Sequence, residues 1–133
     1  GYGKMGRIRH ESISQLNEAK VMSVYDPEII ETELEVVQTP EHIIYNPEID
    51  ALFICTPNYL NKPLTIQSLK AGKHVFCEKP PAFTAKDVRE IRAVEKDSGK
   101  VLMYGFNHRH HESIKYYHPQ SLLLTQKILN TRC

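Results

Sequence analysis

The sequence predicts an α/β fold in which a doubly wound parallel sheet carries helices on both faces. Three observations support this prediction. Short apolar runs of strand length alternate with segments of helical spacing. A glycine-rich turn opens the chain. Polar side chains follow the predicted strands, at the sheet edge where open α/β folds bind ligands.

Length and composition narrow the class of protein. The 133 residues allow one domain at most, and 17 basic and 16 acidic residues give a formal net charge of +1. This balance gives no reason to expect nucleic acid or a membrane surface as partner. No apolar run approaches the ~18 residues of a membrane span. The three cysteines lack metal-type spacing, which predicts no metal site and a reducing, cytoplasmic compartment.

The chain opens on the pattern G-x-G-x-x-G. It is formed by Gly1, Tyr2, Gly3, Lys4, Met5 and Gly6. In this pattern the glycines allow a tight turn and the close approach of backbone to a pyrophosphate, at the start of a helix. An imperfect apolar stripe of helical spacing follows, formed by Met5, Ile8, Ile13 and Leu16. The pattern therefore predicts a dinucleotide site, provided that an acidic residue follows about 20 residues later.

Asp26 meets that requirement. It follows the apolar strand Val21–Tyr25 and lies 20 residues after Gly6. A carboxylate at this position can accept hydrogen bonds from ribose hydroxyls and would repel a 2′-phosphate, which favours NAD over NADP. The alternative is that Asp26 is simply a turn residue before Pro27.

The following region is short for a full crossover unit. Leu34–Val37 is long enough for one short strand, and Thr39 and Pro40 are typical of a helix start. Ala51–Cys55 is then the clearest strand, and its continuous apolar run predicts burial on both faces.

Two polar turns follow the next strands. Thr56, Pro57 and Asn58 follow Cys55, and a helix that ends at Gly72 comes next. The strand His74–Cys77 then leads into Glu78, Lys79, Pro80 and Pro81. The Lys79–Pro80 bond can be cis at modest cost. Glu78 and Lys79 are either site residues or a solvated pair in a turn.

The last predicted elements complete the alternation. Thr84 and Asp87 form a capping box for a helix that Gly99 closes, and Val101–Tyr104 is a further strand. Asn107, His108 and Arg109 lie beyond its carboxyl end. The carboxyl ends of parallel strands share one edge of a sheet. We therefore expect the residues after this last strand to lie close to Glu78-Lys79, to Asp26 and to the glycine turn.

Taken together, five motifs in this order resemble the Gfo/Idh/MocA (glucose-fructose oxidoreductase and inositol dehydrogenase) family. They are Gly1–Gly6, Asp26, Thr56-Pro57-Asn58, Ala71–Val75 with Glu78-Lys79-Pro80, and Gly105–Arg109. The resemblance extends to about Lys115. It implies an NAD(P)-binding Rossmann domain over 1–117 and a link over 118–133 toward a C-terminal α+β substrate domain. It also implies that the parent protein is a homo-oligomer whose substrate is a sugar, a nucleotide sugar or a cyclitol.

The resemblance also implies residue roles. Lys79 matches the lysine that lies by the nicotinamide and the reacting carbon, which makes it the expected catalytic residue. Glu78 would orient Lys79 or meet the cofactor, and Asn107 would contact the cofactor. His108 and Arg109 would hold substrate hydroxyls or a phosphate, although exposed histidines are the alternative interpretation for His108.

Three departures limit the expectation. Asn61 stands where the family usually has a histidine. The first strand, which would deliver the glycine turn, is missing, so two strands should lack a neighbour. The C-terminal domain is also missing. We therefore expect this chain alone to be inactive and weakly folded at best, and a non-catalytic NAD-binding regulatory protein or an inactive fragment stays open as the alternative.

Overall fold

The fold was analysed in a computed structural model, which describes residues 1–28 and 31–107. Helices and strands alternate, as the sequence predicts. In chain order the elements are α1 (Lys4–Ser14), β1 (Ser23–Val24), β2 (Glu35–Val36), α2 (Pro40–Ile44), β3 (Ala51–Ile54), α3 (Asn58–Lys70), β4 (His74–Cys77), α4 (Ala85–Ser98) and β5 (Leu102–Tyr104). Within the described ranges, none of the helices is both long and apolar enough to cross a bilayer. The predicted link over 118–133 lies outside the described residues.

Every strand pair in the described part of the chain is parallel, which confirms the predicted fold class. β1 pairs with β2, while β3, β4 and β5 form a second sheet in that order. In the second sheet Phe53 lies beside Phe76, and Phe76 beside Met103. This register aligns the carboxyl ends of the three strands, so the turns after Ile54, Cys77 and Tyr104 share one edge.

The two faces of this larger sheet are covered unequally. Ile54, Val75 and Cys77 pack with Leu69 of α3, and Val94 of α4 covers the same cluster. On the opposite face, the guanidinium of Arg9 from α1 lies over the ring of Phe76. Helices therefore lie on both faces, as a doubly wound sheet requires.

The prediction that Ala51–Cys55 is buried on both faces is wrong for the described structure. Burial alternates along β3, and the side chain of Phe53 is 43% exposed. Successive strand residues point to opposite faces, and the described helices pack mainly on the face of Leu52 and Ile54. The continuous apolar run therefore does not identify which face is covered.

A groove of about 600 Å³ separates the two sheets. β1 lines one side with Val24, and β3 lines the other with Leu52, while Ile43 and Ile49 contribute apolar surface. In the described residues no strand joins β1 to β3. This arrangement agrees with the expectation that two strands would lack a neighbour between them.

Local sequence signals set several element boundaries. The Asp87 amide donates to the Thr84 hydroxyl at 3.1 Å, which confirms the predicted capping box of α4. α4 ends at Gly99, whose φ of 64° lies in the left-handed region that glycine adopts most readily. The apolar stripe of α1 is less well buried than predicted, because Ile8 is 39% and Leu16 57% exposed.

Candidate functional site

The glycine turn combines two crowded glycines, Gly1 and Gly6, with one open glycine, Gly3. Gly6 is buried, and a Cβ at this position would collide with the backbone oxygen of Gly1. Gly3 precedes α1 directly, and a Cβ there would meet no atom within 4 Å. Lys4 and Met5 form the first turn of α1, with Lys4 exposed and Met5 half-buried. Packing therefore explains Gly6, whereas the open backbone at Gly3 leaves room for a ligand.

Asp26 lies against this turn, as the spacing predicts. Its Oδ2 accepts a hydrogen bond from the Tyr2 amide at 2.6 Å, and its Oδ1 accepts one from the Glu28 amide at 3.1 Å. Asp26 therefore forms a turn of its own, as the alternative interpretation expects, and it also contacts the glycine turn, whereas its binding of ribose stays a prediction. Each carboxylate oxygen can accept a further hydrogen bond, so ribose hydroxyls could still bind there.

The side chain of Tyr2 faces the protein interior. Tyr2 is 7% exposed, and its hydroxyl lies 2.6 Å from Nδ1 of His10. The guanidinium carbon of Arg7 lies 5.0 Å from the centre of the Tyr2 ring. Tyr2 therefore anchors the turn to α1, and any contact that it makes with a cofactor would involve its backbone.

The turn after β3 is tied to the turn after β4 by Asn61. This residue of α3 is 1% exposed, and its Nδ2 donates to the backbone oxygens of Glu78 at 3.1 Å and Pro80 at 2.8 Å. The Thr56 hydroxyl donates to Oδ1 of Asn61 at 3.4 Å. Asn61 therefore holds the backbone carbonyl groups of the two residues that flank Lys79, a contribution that the sequence interpretation missed.

Pro57 and Asn58 occupy the start of α3. Pro57 is the N-cap residue and Asn58 the first helical residue, and both are exposed at the same sheet edge as Thr56. A Cβ at Gly1 would contact the backbone of Cys55 and Thr56. The glycine turn and the turn after β3 are therefore direct neighbours.

Glu78 and Lys79 differ sharply in burial. Glu78 is 8% exposed, whereas the side chain of Lys79 is exposed. The Lys79–Pro80 bond is cis, an isomer that the sequence allowed. Gly105 lies against Glu78, since a Cβ there would come within 2.7 Å of Oε2.

Arg9 is the second residue that the sequence interpretation missed. Its guanidinium donates to the carboxylate of Glu78 and to Oδ1 of Asn107. Arg9 and Glu78 are 69 positions apart, so no local spacing rule could connect them. Asn61 did carry a signal, because it stands where the family usually has a histidine. His108 and Arg109 lie outside the described residues.

Neither cysteine near this edge is set up as a nucleophile. Burial raises the pKa of the Cys77 thiol to about 11, and burial also raises the pKa of Cys55. Both groups are therefore protonated near neutral pH, and thiols react as thiolates.

The residues present fit a dinucleotide. The open backbone at Gly3, the N-terminal turn of α1 and the carboxylate of Asp26 lie together, and Thr56 and Asn61 connect them to Glu78. A parallel sheet with these groups at its carboxyl edge defines a dinucleotide-binding Rossmann domain.

Comparison with known proteins identifies the family. Residues 1–106 match the family model described as an oxidoreductase family with an NAD-binding Rossmann fold. Because this match includes most of the chain, the protein belongs to the Gfo/Idh/MocA oxidoreductases. The resemblance drawn from the motifs is thereby confirmed.

Individual relatives agree with this assignment. The chain is 34% identical over 115 residues to inositol 2-dehydrogenase of Rhizobium meliloti, a match that includes 82% of this chain and 35% of the relative. It is 40% identical over 72 residues to 1,5-anhydro-D-fructose reductase of Ensifer adhaerens, or 54% and 21% of the two chains. An NAD-binding protein from Listeria innocua matches in structure with a TM-score of 0.73 and 35% identity, over 82% and 34% of the chains.

The chain spans only part of its relatives. The first curated relatives are matched over 20–37% of their own length. The family model that matches residues 1–106 is described as NAD-binding, so the matched part corresponds to the cofactor-binding domain of the family.

Proposed function

We propose that this chain is the cofactor-binding part of an NAD-dependent oxidoreductase that acts on a sugar, nucleotide sugar or cyclitol. One observation carries the proposal. The glycine turn, Asp26, the Thr56 turn and the Glu78-Lys79 turn are joined by direct contacts at the carboxyl edge of parallel strands. The names of the relatives, an inositol dehydrogenase and an anhydrofructose reductase, support the substrate class.

The cofactor would bind along this edge. The backbone at Gly3 and the first turn of α1 would hold the pyrophosphate, and Asp26 would accept hydrogen bonds from the adenosine ribose. The negative charge of Asp26 favours NAD, because a 2′-phosphate would meet a carboxylate at short range. When bound, the nicotinamide supplies a hydride acceptor or donor.

Lys79 is the proposed catalytic residue. Oxidation of a carbinol removes a hydride from carbon and a proton from oxygen, so a group beside the oxygen must take the proton or stabilise the charge. Lys79 is exposed at the turn, where its side chain can reach a bound substrate. As an ammonium ion it would polarise the oxygen, and as a neutral amine it would accept the proton.

The test uses the whole protein that carries this domain. Lys79→Met should lower kcat by a factor of about 100 or more, the usual contribution of a proton-transfer group, with the Kd for NAD changed less than about threefold. The matched control is Lys86→Met, because Lys86 is also exposed and lies at the start of α4. Unchanged kcat with unchanged NAD affinity would remove Lys79 from the mechanism.

The same measurements separate the alternative function. NAD binding by the whole protein without oxidation of any sugar or cyclitol would favour a non-catalytic regulatory protein. A folded protein that binds neither NAD nor NADP would contradict the proposal altogether. Isothermal titration with both dinucleotides, followed by absorbance of the reduced nicotinamide, distinguishes these outcomes.

A further inference from the structure

Arg9 links the helix of the glycine turn to the strand that leads to Lys79. Its Nε and Nη2 donate to Oε1 of Glu78 at 2.8 and 2.5 Å, and Nη2 also donates to Oδ1 of Asn107 at 3.2 Å. Arg9 belongs to α1, whereas Glu78 follows β4 and Asn107 follows β5. A single guanidinium therefore joins three separate elements.

The pair differs from an ordinary surface ion pair. The side chains of Arg9 and Glu78 are only 17% and 10% exposed. The guanidinium carbon lies 4.7 Å from the centre of the Phe76 ring, and that ring stacks on Phe53 at 5.0 Å. Because both charges are largely withdrawn from water, loss of one partner leaves the other uncompensated.

The remaining polar groups of Glu78 are also held. Its amide donates to the Ile54 oxygen at 2.9 Å, and its own carbonyl oxygen accepts from Asn61 at 3.1 Å. Gly105 leaves the space that the carboxylate occupies. The hydrogen bond from Asn61 to the Glu78 carbonyl oxygen also fixes the peptide bond that leads into Lys79.

We infer that Arg9 is a positioning residue for Lys79. By holding the Glu78 carboxylate and Asn107, Arg9 keeps that carboxylate from pairing with the adjacent Lys79 ammonium and fixes the direction in which Lys79 leaves the sheet edge. The inference rests on the proposed function of Lys79. It assigns no contact with substrate or cofactor to Arg9 itself.

The main experiment is a double-mutant cycle in the whole protein. Arg9→Met and Glu78→Gln should each lower kcat about 10- to 100-fold, and the double variant should be no worse than either, because both remove the same contact. The Kd for NAD should change less than about threefold. Arg92→Met is the matched control, since Arg92 is exposed on α4 and should leave kcat unchanged.

Two further readouts separate positioning from general damage. Arg9→Met should lower kcat while the KM for the substrate changes less than about threefold, because the freed Glu78 carboxylate can pair with Lys79 without altering substrate binding. Arg9→Lys should recover part of the activity, because it keeps the charge but lacks the planar fork of donors.

A measurement without turnover keeps the inference independent of the proposed function. An amine-selective reagent should modify Lys79 severalfold more slowly in Arg9→Met than in the wild type, relative to Lys86 in the same sample. If the wild-type protein shows no turnover with NAD, the proposed function is contradicted, and the ratio of Lys79 labelling to Lys86 labelling still tests the role of Arg9. If Arg9→Met does not fold, the same ratio is measured in Arg9→Lys. An unchanged ratio in a folded variant, or additive losses in the cycle, would overturn the inference.

Discussion

The carboxylate of Asp26 accepts a hydrogen bond from the backbone amide of Tyr2, 24 residues earlier in the chain, at 2.6 Å. This contact joins the end of β1 to the glycine turn before α1. It places the acidic group beside the backbone that a pyrophosphate would approach, so we predict that one side chain both holds the turn and influences the choice of dinucleotide.

Replacing Asp26 should therefore change cofactor preference. Asp26→Asn removes the charge but keeps an oxygen for the Tyr2 amide, so we expect NAD affinity to fall about tenfold while NADP affinity rises. Titration of both dinucleotides measures the ratio. Asp97→Asn is the control, because Asp97 is exposed on α4. An unchanged NAD to NADP ratio would contradict the proposed role of Asp26.

Alanine at the two glycines should separate ligand binding from folding. Gly6→Ala places a Cβ against the Gly1 oxygen and should destabilise the fold by about 1–3 kcal/mol. Gly3→Ala meets no protein atom and should change the free energy of unfolding by less than about 1 kcal/mol, yet weaken NAD binding. Urea unfolding and NAD titration test both variants. Equal losses of unfolding free energy in Gly3→Ala and Gly6→Ala would show that the free space around Gly3 has no special role.

Asn61 should matter through its donor group. Asn61→Ala leaves the Glu78 and Pro80 oxygens without their donor and should cost about 1–3 kcal/mol of unfolding free energy. Asn61→Asp has nearly the same shape but directs an acceptor at those oxygens, so we expect a larger loss. Gln67→Ala on the same helix is the control. If Asn61→Asp lowers the free energy of unfolding no more than Asn61→Ala does, this assignment is contradicted.

The buried thiol of Cys77 predicts a loss of stability at high pH. Burial raises its pKa from 9.0 to about 11, so above about pH 9 the unfolded chain releases a proton that the folded chain retains. The free energy of unfolding should then fall by up to about 1.4 kcal/mol per pH unit until about pH 11. Urea unfolding across this range should give a shallower decline for Cys77→Ala, and an equal slope would contradict the prediction.

Several elements could be predicted from the sequence because their signals are local. The bounds of β4, the capping box of Thr84 and Asp87, and the stops at Gly72 and Gly99 all agree with the structure. The convergence of the turns after β3, β4 and β5 was also predictable, because parallel strands align their carboxyl ends. The roles of Lys79 and Asn107 remain predictions.

The sequence alone determined the α/β class, the parallel order and the polar groups at the sheet edge, because strand length, helix period and turn residues are properties of neighbouring positions. The tertiary structure decided which of those groups touch. The contact between Arg9 and Glu78, the double hydrogen bond of Asn61 and the exposure of Phe53 all depend on packing between distant segments. The local pattern does not specify such contacts, since burial and pairing follow from which elements meet in space.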